Sequence, residues 1–297
     1  MNNCLVTKLK ATVNNPNLPI LKTDISDFTK AAILASGNDS MTEVQKWALD
    51  TYFDRIGALN NSGAWTKIKA LYIPAILTDR NKIFVNYKDM QAVAGISENQ
   101  TLDNGGAGAS NRRIIVPAST GIIMNDADCF FYFSCDRNIL DTNTFNELAE
   151  VFSCKDNSDT RVVGVALSKL TNNIQIALHE NEYAEGTGFR KPFTEETASN
   201  LDLGSEFLVT RTGTDAPVCR LVLRDMNNID KSYGFTQFIR ADRPATDEYI
   251  STTVNVRLQP STIVNYNILA VGQELTAEEA ETVVEAGIEL KKAFITV

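Results

Sequence analysis

The sequence predicts a mainly β protein: an antiparallel β-sandwich of jelly-roll type with an N-terminal helical segment and a C-terminal helix. Three observations carry this. From residue 82 onward, short runs rich in branched and aromatic residues recur at intervals of roughly ten residues, separated by Asn, Asp, Gly and Ser clusters. Few helical stretches lie between these runs, which argues for antiparallel hairpins over strand–helix–strand units. Two amphipathic patterns with helix-capping residues flank the series, one starting at Ser40 and one at Thr276.

In chain order, residues 4–10 (CLVTKLK) alternate apolar and polar as a short strand would, and Asn14-Asn15-Pro16-Asn17 supplies a turn. Residues 18–21 read as a second extended piece. An isolated hairpin is marginal in water, so this leader needs a partner, which another subunit can supply. Residues 24–36 read as a weak helix or a loop with one helical turn. The first clear helix starts at Ser40, with Glu43 at capping-box spacing. Val44, Trp47, Ala48, Tyr52, Ile56 and Leu59 fall on one face, and Asp50, Asp54 and Arg55 point elsewhere.

A second amphipathic segment follows at 63–72, with Trp65, Ile68, Leu71 and Tyr72 on one side and Lys67 and Lys69 on the other; Pro74 closes it. The aromatic stripe is expected to be packing between two helices. The β runs fall at 82–87, 113–116, 128–135, 150–154, 161–168, 174–179, 206–212, 218–224, 235–240, 252–258 and 264–271. FFYFSC (130–135) and VVGVAL (162–167) are apolar on nearly every residue, so these strands are expected to be central and covered on both faces. Residues 99–111 and 180–200 read as polar loops. In the last helix Thr276 caps with Glu279, and Ala280, Val283, Val284, Gly287, Ile288 and Phe294 share a face.

A net charge of −9 over 297 residues argues against general affinity for nucleic acid or anionic membrane. The N-terminus lacks the apolar run of about 7–15 residues that marks a signal peptide. No run of ~18 apolar residues could span a bilayer, so synthesis in a cytoplasm is expected. Cys4, Cys129, Cys135, Cys154 and Cys219 are odd in number and widely spaced, which reads as free thiols; no structural zinc site is expected. His179 is the single histidine, so a multi-histidine zinc site is excluded, and beside Glu180 it reads as a surface residue. Glu180, Glu182 and Glu185 form a charged turn. Asp103, Asn104, Asp126, Asp128, Asp156, Asn157 and Asp159 are of the type that binds calcium in some sandwiches, but none forms a calcium-loop motif and turn chemistry explains them equally well. The glycines at 105, 106 and 108 and at 186 and 188 lack the lysine and following helix of a phosphate cradle.

GAWTKIKALYIP (63–74) followed by FVNYKDM (84–90) resembles a pattern in virion proteins of tailed bacteriophages, especially crAss-like and other Bacteroidetes phages. There it leads into a sandwich similar to concanavalin A-type lectin and laminin-G modules. The segment 268–290 resembles the end of the same modules, and 5–21 the leader of crAss-like phage structural proteins. The chain departs from the pattern at Met90, where the family has proline, and lacks its Gly-Gly-Trp-Thr element. Nor does any Glu have Asp two residues later, so the paired carboxylates, about 5 Å apart, that sandwich glucanases use are missing.

The resemblance implies a virion fibre or decoration subunit, of head or tail, and not an enzyme. It would attach to other virion proteins, form a homo-oligomer with a trimer favoured, and offer exposed loops to a host-cell glycan; the alternative is a carbohydrate-active enzyme or free carbohydrate-binding module. The expected division is an attachment leader at 1–39, a helical segment at 40–75 and a lectin-like sandwich with its closing helix at 76–297. The expected interaction residues are Leu5, Val6, Thr7, Lys8, Leu9, Leu18, Pro19 and Ile20, docking by strand addition. No catalytic residue, metal, cofactor or nucleic-acid partner is expected.

Overall fold

The computed structural model describes residues 24–78, 84–93 and 264–294 together with the strands named below. Helix α1 (Asp27–Ser36) is a full helix rather than a single turn. Ser26 caps its start by accepting from the Thr29 amide, and Gly37, at φ 69°, ends it in the left-handed conformation that glycine adopts without strain. Helix α2 (Glu43–Arg55) begins later than the Ser40 box implied. Thr42 caps it, with Gln45 returning the bond to the Thr42 amide. Ser40 is not available for capping, because its amide and hydroxyl both donate to Asn38 Oδ1.

The packed face of α2 is correspondingly rotated. Leu49, Tyr52, Phe53 and Ile56 are buried, Trp47 and Ala48 only partly, and Val44 is 73% exposed. Asp50, expected to face away, is 1% exposed. Its carboxylate accepts from the Ser26 amide and the Thr29 hydroxyl, both at 2.8 Å, and so ties the start of α1 to the middle of α2. Replacing Asp50 with Ala leaves those donors short of an acceptor, with an expected loss of about 2 kcal/mol. Urea denaturation measures the loss, and raised amide exchange confined to α1 would locate it.

The second segment is helical only over α3 (Ala64–Lys67); residues 68–72, expected on the same helix, form strand β1 (Ile68–Tyr72). The reason is a partner far along the chain. β1 pairs antiparallel with β16 (Val264–Gln273), Leu71 opposite Ala270 and Tyr72 opposite Leu269. At Gly272 a Cβ would stand 2.2 Å from the Lys67 carbonyl, so only glycine lets the two backbones meet there. A 3-10 turn at Pro74–Ile76 follows.

Two short strands, β2 (Phe84–Asn86) and β3 (Gln91–Val93), form a hairpin. At its turn Met90 has φ 57°, which proline cannot reach. Two large sheets contain the rest. The first runs β14 (Tyr233–Thr236), β13 (Val218–Arg224), β12 (Glu206–Thr212), β7 (Cys129–Cys135), β16, β5 (Gly106–Ala109) and β4 (Gln100–Asp103), with β1 also on β16. The second runs β11 (Lys191–Phe193), β10 (Asn173–Ala177), β9 (Val162–Leu170), β8 (Ala149–Asp156), β15 (Tyr249–Arg257) and β6 (Arg113–Met124). Every pairing among these strands is antiparallel. The stretch 99–111, expected to be loop, holds the β4–β5 hairpin, and 180–200 holds β11.

β7 is central, as its composition requires: Phe130 to Ser134 are all buried. Phe130, Tyr132, Leu208, Ile268 and Ala270 face the helices and join one core with Tyr52, Phe53, Trp65 and Ile288. Phe131, Phe133, Phe207, Leu269 and Val271 alternate onto the opposite face and are buried there, with Phe133 and Phe207 stacked at 4.7 Å. Helix α4 (Ala277–Phe294) lies on the helix-facing side, capped by Thr276 and Glu279 as the sequence predicts.

Candidate functional site

Beneath α4 the sheet presents a polar row. Ser134 of β7 stands opposite Glu206 of β12, which stands opposite Arg224 of β13. Alternation within strands whose neighbours are Phe, Leu and Val puts these three side chains on the helix-facing surface. Glu206 accepts from the Tyr132 hydroxyl at 2.6 Å and the Ser134 hydroxyl at 2.9 Å, and it is ion-paired to Lys291 of α4. Both charged side chains are 0% exposed. Arg224 pairs with Glu281, three turns earlier on α4. Gly287 makes room for this arrangement, since a Cβ there would lie 1.9 Å from the Tyr132 hydroxyl.

Burial raises the Tyr52, Tyr87 and Tyr132 hydroxyls above the ordinary tyrosine value, and the charge of Glu206 adds to the effect at Tyr52 and Tyr132. A group whose folded pKa is raised holds its proton where the unfolded chain has lost it. Stability from these three is therefore complete below pH 10 and falls as pH rises beyond it. In an alkaline titration followed by phenolate absorbance, these three of the eight tyrosines should ionise only together with unfolding. Their smooth titration ahead of loss of the far-UV signal would contradict the burial described here.

A second cluster lies beside β1 and α3. Lys88 sits with its ammonium 4.0 Å from the Trp65 ring centroid and donates to the Trp65 carbonyl. Trp65 itself, 5% exposed, packs edge-on to Phe28 at 5.4 Å. Asn86 accepts the Leu71 and Lys88 amides, and the Tyr87 amide donates to the Leu71 carbonyl, so the hairpin seals the outer edge of β1. Between α2 and α4 a cleft of about 290 Å³ is lined by Arg55, Glu285, Ile288 and Glu289, with Arg55 paired to Glu285 at 2.9 Å.

The expected interaction residues Leu5, Val6, Thr7, Lys8, Leu9, Leu18, Pro19 and Ile20 lie outside the described residues, as do His179, Glu180, Glu182 and Glu185. Of the acids weighed for calcium, the backbones of Asp103 and Asp156 fall in β4 and β8, and the others lie outside the described residues. Of the two tryptophans, Trp65 belongs to the core and Trp47 is half-buried. Among the described residues no three metal-ligating side chains cluster, and no helix is long and apolar enough to cross a membrane. The sequence reading missed Glu206, Lys291 and Lys88. A glutamate opening an apolar run (EFLV) and a lysine within the apolar pattern of a helix were the signals for the first two.

No family model and no curated protein matches the chain. Solved structures similar to it include the binding domain of botulinum neurotoxin serotype G, 13% identical over 75% of this chain and 51% of that one, with a TM-score of 0.45. The binding domain of botulinum neurotoxin DC in complex with SialylT is 11% identical over 74% and 52%, at 0.46. A Trypanosoma rangeli sialidase is 8% identical over 82% and 39%, at 0.45. The chain thus spans about half or less of these proteins, and at such TM-scores the likeness carries no argument about function.

Proposed function

We propose that this chain is a structural subunit of a phage virion, a head or tail fibre or decoration protein, that acts by binding and not by catalysis. Its two large antiparallel sheets would form a lectin-like sandwich. Residues 5–9 and 18–20 would dock on a capsid, tail or neighbouring subunit by adding a strand. Exposed sandwich loops would meet a host glycan, and the subunit would work as a homo-oligomer, a trimer being favoured.

The observation that supports this reading is the joining of the two segments that carry the phage resemblance. Residues 63–74 and 268–290 come from opposite ends of the chain, yet β1 pairs with β16, and Lys67 bonds Glu279 of α4 at 2.6 Å. The resemblance therefore falls on one packed unit. The Glu206–Lys291 pair that seats α4 on the sheet is sealed from solvent and serves packing.

Immunogold labelling of purified virions with an antibody to this chain tests the proposal, and decoration of the particle is the expected result. Absence of labelling on intact and detergent-opened virions would overturn it. A glycan array run with and without chelator separates the rival: turnover of a specific glycan would replace this reading with a carbohydrate-active enzyme.

A further inference from the structure

We propose that the apolar segment 18–21 (LPIL) docks on the outer face of this chain's own helix pair, over Leu34 of α1 and Val44 of α2. These two are the exposed large apolar side chains among the described residues, at 76% and 73%. They flank the 37–42 connection, Leu34 two residues before the end of α1 and Val44 second in α2. Taken singly, such residues are ordinary on a protein surface. Here the chain leading into α1 supplies an occupant.

The path of that chain is fixed by an ion pair. Thr29 turns toward α2, where its hydroxyl donates to Asp50. Lys30 and Leu34, four residues apart, share a face of α1 turned away from that contact. Asp24 reaches back to Lys30 at 2.8 Å, so the chain ahead of α1 arrives on the face that carries Leu34. From Lys30 to Leu34 is about 6 Å along the helix. The three residues from Asp24 back to Leu21 span up to about 10 Å, which brings Leu21 and Ile20 within reach of Leu34.

Charge agrees with this placement. Asp24 and Asp27 share the single ammonium of Lys30, leaving an excess negative charge on the face. Residues 1–23 hold three lysines, Lys22 among them, and no acid. The attraction is exposed and therefore screened by salt, so removal of apolar surface from water carries the docking and charge only orients it.

This deepens the proposed function and rests on it in one respect: Leu18, Pro19 and Ile20 are also the residues that would add as a strand to a neighbour. One segment cannot occupy both places. Docking in cis would thus hold the leader of a free subunit back from indiscriminate strand pairing until a neighbour competes for it.

Hydroxyl-radical footprinting of the full-length protein, read by peptide mapping, tests the proposal. Leu34 should be oxidised about threefold more slowly than in the Ile20→Ser, Leu21→Ser double variant, whose changes lie outside the core. Equal rates would overturn the proposal. Dilution should leave the protection in place; protection lost on dilution would assign the cover to a second copy and overturn docking in cis. Leu34→Asp should speed tryptic cleavage after Lys22 about fivefold with an unchanged far-UV spectrum, and an unchanged cleavage rate in that folded variant would count equally against it. None of these readouts involves a virion. Unlabelled virions would remove the proposed function and leave a protected Leu34 standing, whereas an unprotected Leu34 removes only this inference.

Discussion

Gly287→Ala is expected to destabilise the protein by about 3 kcal/mol, although the same change inside a helix ordinarily stabilises it by about 1 kcal/mol. The sign reverses because the new methyl would stand 1.9 Å from the Tyr132 hydroxyl and 3.0 Å from its ring carbon. Tyr132 cannot swing aside without releasing Glu206, and α4 cannot lift without exposing Val283, Val284 and Ile288. Guanidinium denaturation should report the loss. A variant as stable as the parent would mean that α4 does not lie against Tyr132 as described. Tyr132→Phe in the Gly287→Ala background removes the clashing oxygen and should recover part of the stability.

Lys291→Met carries the second large effect. It leaves the Glu206 carboxylate buried with two hydroxyl donors and without its ion-pair partner, and breaking a buried pair in this way costs about 3–5 kcal/mol. The double change Glu206→Gln with Lys291→Met removes both charges, while Gln keeps an acceptor for Tyr132 and Ser134. It should therefore be more stable than Lys291→Met alone. A denaturant double-mutant cycle measures the coupling. Simple additivity of the two changes would show that the pair contributes no specific interaction to the seat of α4.

Both effects lie on the surface between α4 and the sheet, and that surface shows how the sequence could and could not be read. The α4 cap was legible, because Thr276 and Glu279 are three residues apart and satisfy each other's amides without help from elsewhere. The cap of α2 was harder, since two overlapping boxes, Ser40 with Glu43 and Thr42 with Gln45, are equally good locally. Asn38 settles the matter by engaging Ser40, while its own amide donates to the Ile76 carbonyl at 2.8 Å. Asp50 was read as solvent-facing because its donors, Ser26 and Thr29, belong to another helix. The β4–β5 hairpin went unread because Gly, Ala and Asn dominate it, and its place comes from backbone bonding to Val264 and Asn265 of β16.

What the sequence determined by itself is the set of properties that neighbours in the chain can settle. These are the antiparallel β character, the central place of β7, the start of α4 and its buried face. Tertiary structure alone decided that residues 68–72 are strand, that α2 turns Asp50 inward, and that Glu206 meets Lys291. The physical reason is common to all three. Residues 65, 68, 71 and 72 fit a helical face as well as a strand does, and a lone Glu or Lys in an apolar run is unfavourable until its counterpart arrives. The deciding hydrogen bonds come from β16 for the strand, about 200 residues away, from α4 for Glu206, 85 residues away, and from Ser26 and Thr29 at the start of α1 for Asp50, 24 and 21 residues away.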